Sequence, residues 1–153
     1  MADFTDWALP SPFIQNWQIQ PTHIDHYQHV NNVAYLAQME SLAWAHSNSL
    51  GLHFADYQAI GKGMVIRRHE LDYLQPAFEG DTLMCATWIT DCHNGITLTR
   101  RFQFVCAKRN KAVFAAQTHF VCVKLATGAP TRMPPQFKAC YGAAVVNPTE
   151  KKA

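Results

Sequence analysis

The sequence predicts an α+β domain: a curved antiparallel sheet wrapped around one long central helix. Three observations lead there. One helical run, apolar around most of its girth, starts at Val33. Alternating apolar runs fill most of the chain after Gly63. Those runs recur every 10–15 residues or so with no helix between them, which suits hairpins and leaves no room for the crossovers of a parallel sheet.

Taken in order, Pro10 and Pro12 punctuate the start, so residues 1–11 read as an arm laid on the surface. Residues 13–20 carry Phe13, Trp17 and Ile19 among polar neighbours, a short strand. A polar loop follows over 23–31. In the helix, Val33, Leu36, Ala37, Ala43, Trp44 and Leu50 recur at three- and four-residue steps, and Tyr35, Met39 and Leu42 add a second stripe. Asn31 or Asn32 caps its start and Gly51 closes it. A helix this apolar belongs in the middle of a fold.

Strands are expected over 64–74, ending before Pro76, and over 82–90. The latter leads into Cys92-His93-Asn94-Gly95, whose Asn-Gly pair is a strong hairpin signal. Ile96, Leu98, Phe102, Phe104 and Cys106 then alternate with polar partners, and Lys108-Arg109-Asn110-Lys111 reads as a solvated hairpin tip. Residues 113–125 give a further strand, and Thr127-Gly128-Ala129-Pro130 ends the sheet. Residues 134–141 form a short terminal helix and 147–153 a frayed tail. The domain proper thus spans 12–141, between the arm and a tail over 142–153. One helix leaves sheet edges and part of a face open, so a second copy is expected to cover them, as a homodimer or homotetramer.

Composition narrows the function. With 153 residues, 48% of them apolar and 16% charged, the chain suits one compact domain. A formal charge of +2, scattered along the chain, is no nucleic-acid-binding signature. Five cysteines with no CxxC pair read as reduced core thiols, and hence as a cytoplasmic setting. The acidic start Met1-Ala2-Asp3-Phe4-Thr5-Asp6 has no basic leader, and no window reaches the roughly 18 apolar residues of a membrane span.

Chemistry-bearing side chains crowd into Asp25-His26-Tyr27-Gln28-His29-Val30-Asn31-Asn32-Val33-Ala34-Tyr35-Leu36. An acid, a histidine and two asparagines are delivered to a helix N-terminus, where free N–H groups and the dipole favour negative charge. Carbonyl chemistry that passes through an oxyanion needs that arrangement.

This segment resembles the motif of the hotdog-fold thioesterases, specifically the 4-hydroxybenzoyl-CoA thioesterase-like group. There the pattern is Asp, two variable residues, a small or polar residue, His-Val-Asn-Asn, two more, then Tyr-Leu. Leu71-Asp72-Tyr73-Leu74-Gln75-Pro76-Ala77-Phe78-Glu79-Gly80-Asp81 is similar to the family's second-strand and turn pattern. Val121-Cys122-Val123 and Thr131-Arg132-Met133-Pro134 fall where such proteins end their sheet, so the likeness covers residues 12–135. There are departures. His23 stands where many members have another Asp, and Gln28 where a Gly is common; plant acyl-ACP thioesterases are similar at Gln28 but have Asn where Tyr27 stands. Glu40 is kept on the helix, but Ala43 replaces the Arg that often follows it.

The resemblance implies a hotdog fold and hydrolysis of an acyl-CoA or acyl-carrier-protein thioester, with no cofactor and no metal. Asp25 would attack the carbonyl to give a mixed anhydride, or deprotonate a water. The bland reading is that Asp25 caps a turn. His29 would orient the acid, position water or protonate the departing thiolate. Asn31 either hydrogen-bonds the thioester, holds Asp25, or simply caps the helix. The Asn32 N–H is the expected oxyanion donor. Tyr27 and Tyr35 are expected against the substrate, with simple packing the other reading of Tyr27. From a wider set that includes Arg68, Arg100 and Arg101, Arg67 and Arg132 are expected to grip the carrier's phosphates, against a plain polar strand face. Glu40 is a rival acid, but it sits about two turns into the helix, farther from the N–H donors, and reads rather as a supporting or structural residue. His23, His26 and His29 recur every third residue and invite a zinc reading, which the loop-to-helix context disfavours. Two further readings are a non-catalytic acyl-thioester-binding protein and a hotdog dehydratase of hydroxyacyl thioesters.

Overall fold

A computed structural model of the chain describes residues 4–148. Five strands, β1 (Phe13–Gln18), β2 (Lys62–Tyr73), β3 (Thr82–Asp91), β4 (Thr97–Cys106) and β5 (Lys111–Lys124), form one antiparallel sheet in the order β1-β3-β4-β5-β2. The long helix α1 (Asn32–Ser49) lies on one face, followed by α2 (Phe54–Ile60), and α3 (Pro135–Ala143) comes after the last strand. This is the hotdog fold.

The local reasons are legible. Asn31 is the N-cap of α1: its Oδ1 accepts from the Ala34 N–H at 2.8 Å. Gly51, at φ 93°, turns the chain away after the last helical turn. Gly95 follows Asn94 at φ 73°, closing the hairpin between β3 and β4, and Asn94 Oδ1 accepts from the Ile96 and Thr97 N–H groups.

Strand alternation sets the core. On β4, Leu98, Arg100, Phe102 and Phe104 are buried while Thr99, Arg101 and Gln103 are only partly so. Phe102 and Phe104 meet Tyr35, Met39 and Leu42 of α1, together with Trp17, Leu83 and Phe114, in the main core. Each such fully buried apolar side chain contributes about 1.5–3 kcal/mol. β3 is buried on both faces because the arm covers its outer one. Trp7 and Leu9 pack on Met84, Ala86 and Trp88, and the Trp88 indole N–H donates to the Pro10 carbonyl at 2.9 Å. A third cluster joins α2 and α3 to the far end of the sheet through Tyr57, Phe137, Tyr141, Leu98 and Ile89.

Three features differ from the sequence reading. Helix α2 carries no long apolar period, yet Asp56 Oδ2 accepts from the His53 N–H at 2.8 Å at its start and Gly61 ends it at φ 77°. The helix α1 is buried along one stripe only. Val33 is 73% exposed, with Leu36 and Trp44 also open to solvent, because a single chain has nothing to lay over that side. After α3 the chain returns to the sheet, where the Val146 N–H donates to the Ile89 carbonyl at 2.8 Å. Of the expected tail, residues 149–153 lie outside the described residues.

Candidate functional site

The loop between the 3₁₀ turn Pro21–His23 and α1 is a miniature hairpin. Ile24 and Val30 bridge antiparallel, and the Asp25 N–H donates to the His29 carbonyl at 2.9 Å. Asp25 Oδ1 accepts from the Tyr27 N–H at 2.8 Å and the His29 N–H at 3.3 Å. The carboxylate therefore does cap its own turn. The cap occupies one oxygen, and Oδ2 makes no hydrogen bond to any described residue. Gln28 sits at φ 64°, in the left-handed region that favours glycine, which accounts for the Gly common at that position in the motif it resembles.

Two anchors tie this loop to the helix. The Asn31 N–H and Nδ2 both donate to the His23 carbonyl, at 2.8 and 3.0 Å, and the Val30 N–H donates to the Ala77 carbonyl at 2.9 Å. Asn31 is thus spent on structure through both ends of its amide. Because Asn31 Oδ1 takes the Ala34 N–H, the first-turn donors left at the open end are those of Asn32 and Val33. His29 is half-buried, its ring edge-on to Phe78 at 5.3 Å. His23 Nδ1 accepts from the Gln20 N–H at 2.9 Å, so that ring serves the turn.

A cavity of about 680 Å³ runs along the open side of α1 against β2, β4 and β5. It begins at Val33 and reaches Ser47, which at 1.5 Å rise per residue is a length of about 20 Å. Leu36, Met39, Trp44, Ile66, Phe102 and Phe120 give it apolar walls, and Glu40 stands in its lining.

The expected site residues divide. Asp25, His29, Asn31 and Asn32 share one hydrogen-bonded loop and helix start, immediately before the residue where the cavity opens. Tyr27 is 82% exposed at the loop tip. Tyr35 is a core residue, 3% exposed and stacked on Phe114 at 4.6 Å, with burial pushing its phenol well above the usual range. Arg67 sits exposed at a bulge on β2, and Arg132 is exposed beyond the sheet. None of the eight lines the cavity.

The inner end of the cavity holds a group that motif reading passes over. Arg100, 2% exposed, donates from Nη1 to His46 Nδ1 at 2.7 Å, and reaches Thr87 Oγ1 and Ser47 Oγ only at 3.5 Å. Its Nε has no partner. Ser47 and Tyr57 each hydrogen-bond the Tyr141 hydroxyl beside it. Burial, reinforced by the Arg100 charge, pushes His46 down to about 4, so its ring is neutral and accepts. The signal in the sequence is one of parity: Arg100 stands in the row of Leu98, Phe102 and Phe104.

Residues 19–140 match the sequence profile of the Thioesterase-like superfamily. The chain belongs to that superfamily. Among solved structures it is similar to a 1,4-dihydroxy-2-naphthoyl-CoA thioesterase from Synechocystis, with 19% identity, TM-score 0.77, and 86% of this chain and 96% of that one covered. It is similar also to the 12:0-ACP thioesterase from Umbellularia californica, at 16% identity and TM-score 0.80, over 93% of this chain and 55% of that one. A Staphylococcus aureus protein in complex with CoA superposes with TM-score 0.81 at 14% identity, over 97% of this chain and 94% of that one. No curated protein sequence matches the chain significantly.

Proposed function

We propose that this protein hydrolyses an acyl thioester of CoA, or of an acyl carrier protein, to the free acid and thiol. The observation that carries the reading is the coincidence of three features at one end of α1. There the Asp25 carboxylate has one oxygen pinned and one open, the Asn32 and Val33 N–H groups point out of the helix, and an apolar cavity begins. The thioester carbonyl oxygen is polarised by the helix N-terminus. Asp25 Oδ2 attacks the carbonyl carbon, expelling the thiolate and leaving a mixed anhydride that water opens, or it takes a proton from a water that attacks instead. His29, on the backbone pair that fixes Asp25, would protonate the departing thiolate.

The neighbours that act on CoA and carrier-protein thioesters, and the one that holds CoA, support this substrate class. The exposed β2 edge, with Val65 and Ile66, and the open side of α1 are the surfaces a second copy would cover. Exposed Arg67 and Arg132 remain candidates for the carrier's phosphates. The unpaired thiols suit a reducing cytoplasm, and no described helix is long and apolar enough to cross a membrane.

The test is thiol release from a panel of aliphatic and aromatic acyl-CoA esters. Turnover of at least one class is expected. Saturable binding without thiol release would overturn hydrolysis and make the protein an acyl-thioester receptor.

A further inference from the structure

Arg100 is a buried cation without a counter-charge. An arginine side chain stays protonated in proteins, and burial lowers this one only to about 10. Yet among the described residues no carboxylate meets it, and its one short bond goes to a neutral imidazole. The carboxylate in the cavity lining is Glu40, exposed and seven residues from Ser47, about 10 Å along the helix. Around the guanidinium stand Ser47, Tyr57 and Tyr141, whose three hydroxyls share two mutual hydrogen bonds and leave one O–H free to donate. A buried charge of this kind is costly unless something pairs with it, and a planar fork with an unused Nε fits a carboxylate best.

The geometry points to a carboxylate-binding subsite at the inner end of the cavity. Resting on the thioesterase reading, we infer that the preferred acyl group ends in a carboxylate held by Arg100. The thioester would lie at the start of α1 and the distal carboxylate beside Ser47. The helical spacing of about 20 Å between Val33 and Ser47 calls for a long, extended acyl chain. Leu36, Met39, Trp44 and Phe102 would line its methylenes.

The experiment compares two hydrolysis-inert probes, S-hexadecyl-CoA and the same thioether with a terminal carboxylate, by isothermal titration against wild type, Arg100→Met and Arg100→Lys. Thiol release from the matching thioesters is measured in parallel. Removing Arg100 strands no buried counter-charge, only the neutral His46 acceptor, and methionine is apolar and of comparable length, so Arg100→Met is expected to fold. Arg100→Lys keeps the charge and loses the fork. At least tenfold tighter binding of the carboxylated probe to wild type is expected, reduced in Arg100→Lys and reversed in Arg100→Met.

Equal affinities in wild type, a preference that survives Arg100→Met, or no binding of either probe would overturn the subsite even if thioesters are hydrolysed. An Arg100-dependent preference without any thiol release would uphold the subsite and overturn the hydrolase reading.

Discussion

Acidification should weaken the fold through His46. Buried beside Arg100, this imidazole titrates at about 4 against an ordinary 6.5. Between those values the unfolded chain takes up a proton that the folded protein does not, so stability falls as pH drops through 6.5 toward 4 and is fully present above 6.5. The full gap of 2.5 units corresponds to about 3 kcal/mol, and roughly 2 kcal/mol of it is lost between about pH 7 and pH 5. Other groups titrate over the same range, so the measurement is a difference. Urea unfolding is followed at both pH values for wild type and for His46→Gln, whose amide oxygen can take the Arg100 N–H but which does not titrate. Wild type is expected to lose about 2 kcal/mol more than the variant. Identical losses would refute the claim that the Arg100 pocket holds a neutral histidine.

Two further outcomes follow from the loop. Asn31→Ala removes the cap of α1 and the side-chain bond from Nδ2 to the His23 carbonyl, keeping the backbone one, and is expected to lower stability by about 1–2 kcal/mol in urea unfolding. At Gln28, where φ is 64°, a β-branched residue is excluded while glycine is unstrained. Gln28→Val is therefore expected to reduce thiol release at least tenfold by displacing the turn that carries Asp25, with Gln28→Gly retaining it.

The sheet and its helix are legible in the sequence because their signals are long and redundant. Asn94-Gly95 marks the β3–β4 turn, and Phe102 and Phe104 share a parity that only a half-buried strand needs. Helix α2 escapes a periodicity reading because Phe54–Ile60 is too short for one, although Asp56 in its first turn and Gly61 at its end are present in the sequence. The helix α1 reads as central because its two apolar stripes cannot be told apart without knowing that one faces the cavity. In the site, the motif locates the Asp25 loop, but proximity in sequence misleads for Tyr35. It stands only three residues after Asn32, yet the helical turn swings its ring away from the loop and onto Phe114. Arg100 is hidden by habit, since an arginine in a strand reads as a polar face until its neighbours' parity is checked.

The central claim is that the Asp25 carboxylate, rather than the acid standing in the cavity, performs the hydrolysis. The most direct measurement is kcat for thiol release by Asp25→Asn and Glu40→Gln beside wild type, with urea unfolding to show that each folds. Asp25→Asn is expected to lower kcat by about a hundredfold or more, the usual scale for removing a base or nucleophile, with Glu40→Gln losing far less. A Glu40→Gln variant as inactive as that, beside an Asp25→Asn variant that still turns over, would contradict the account.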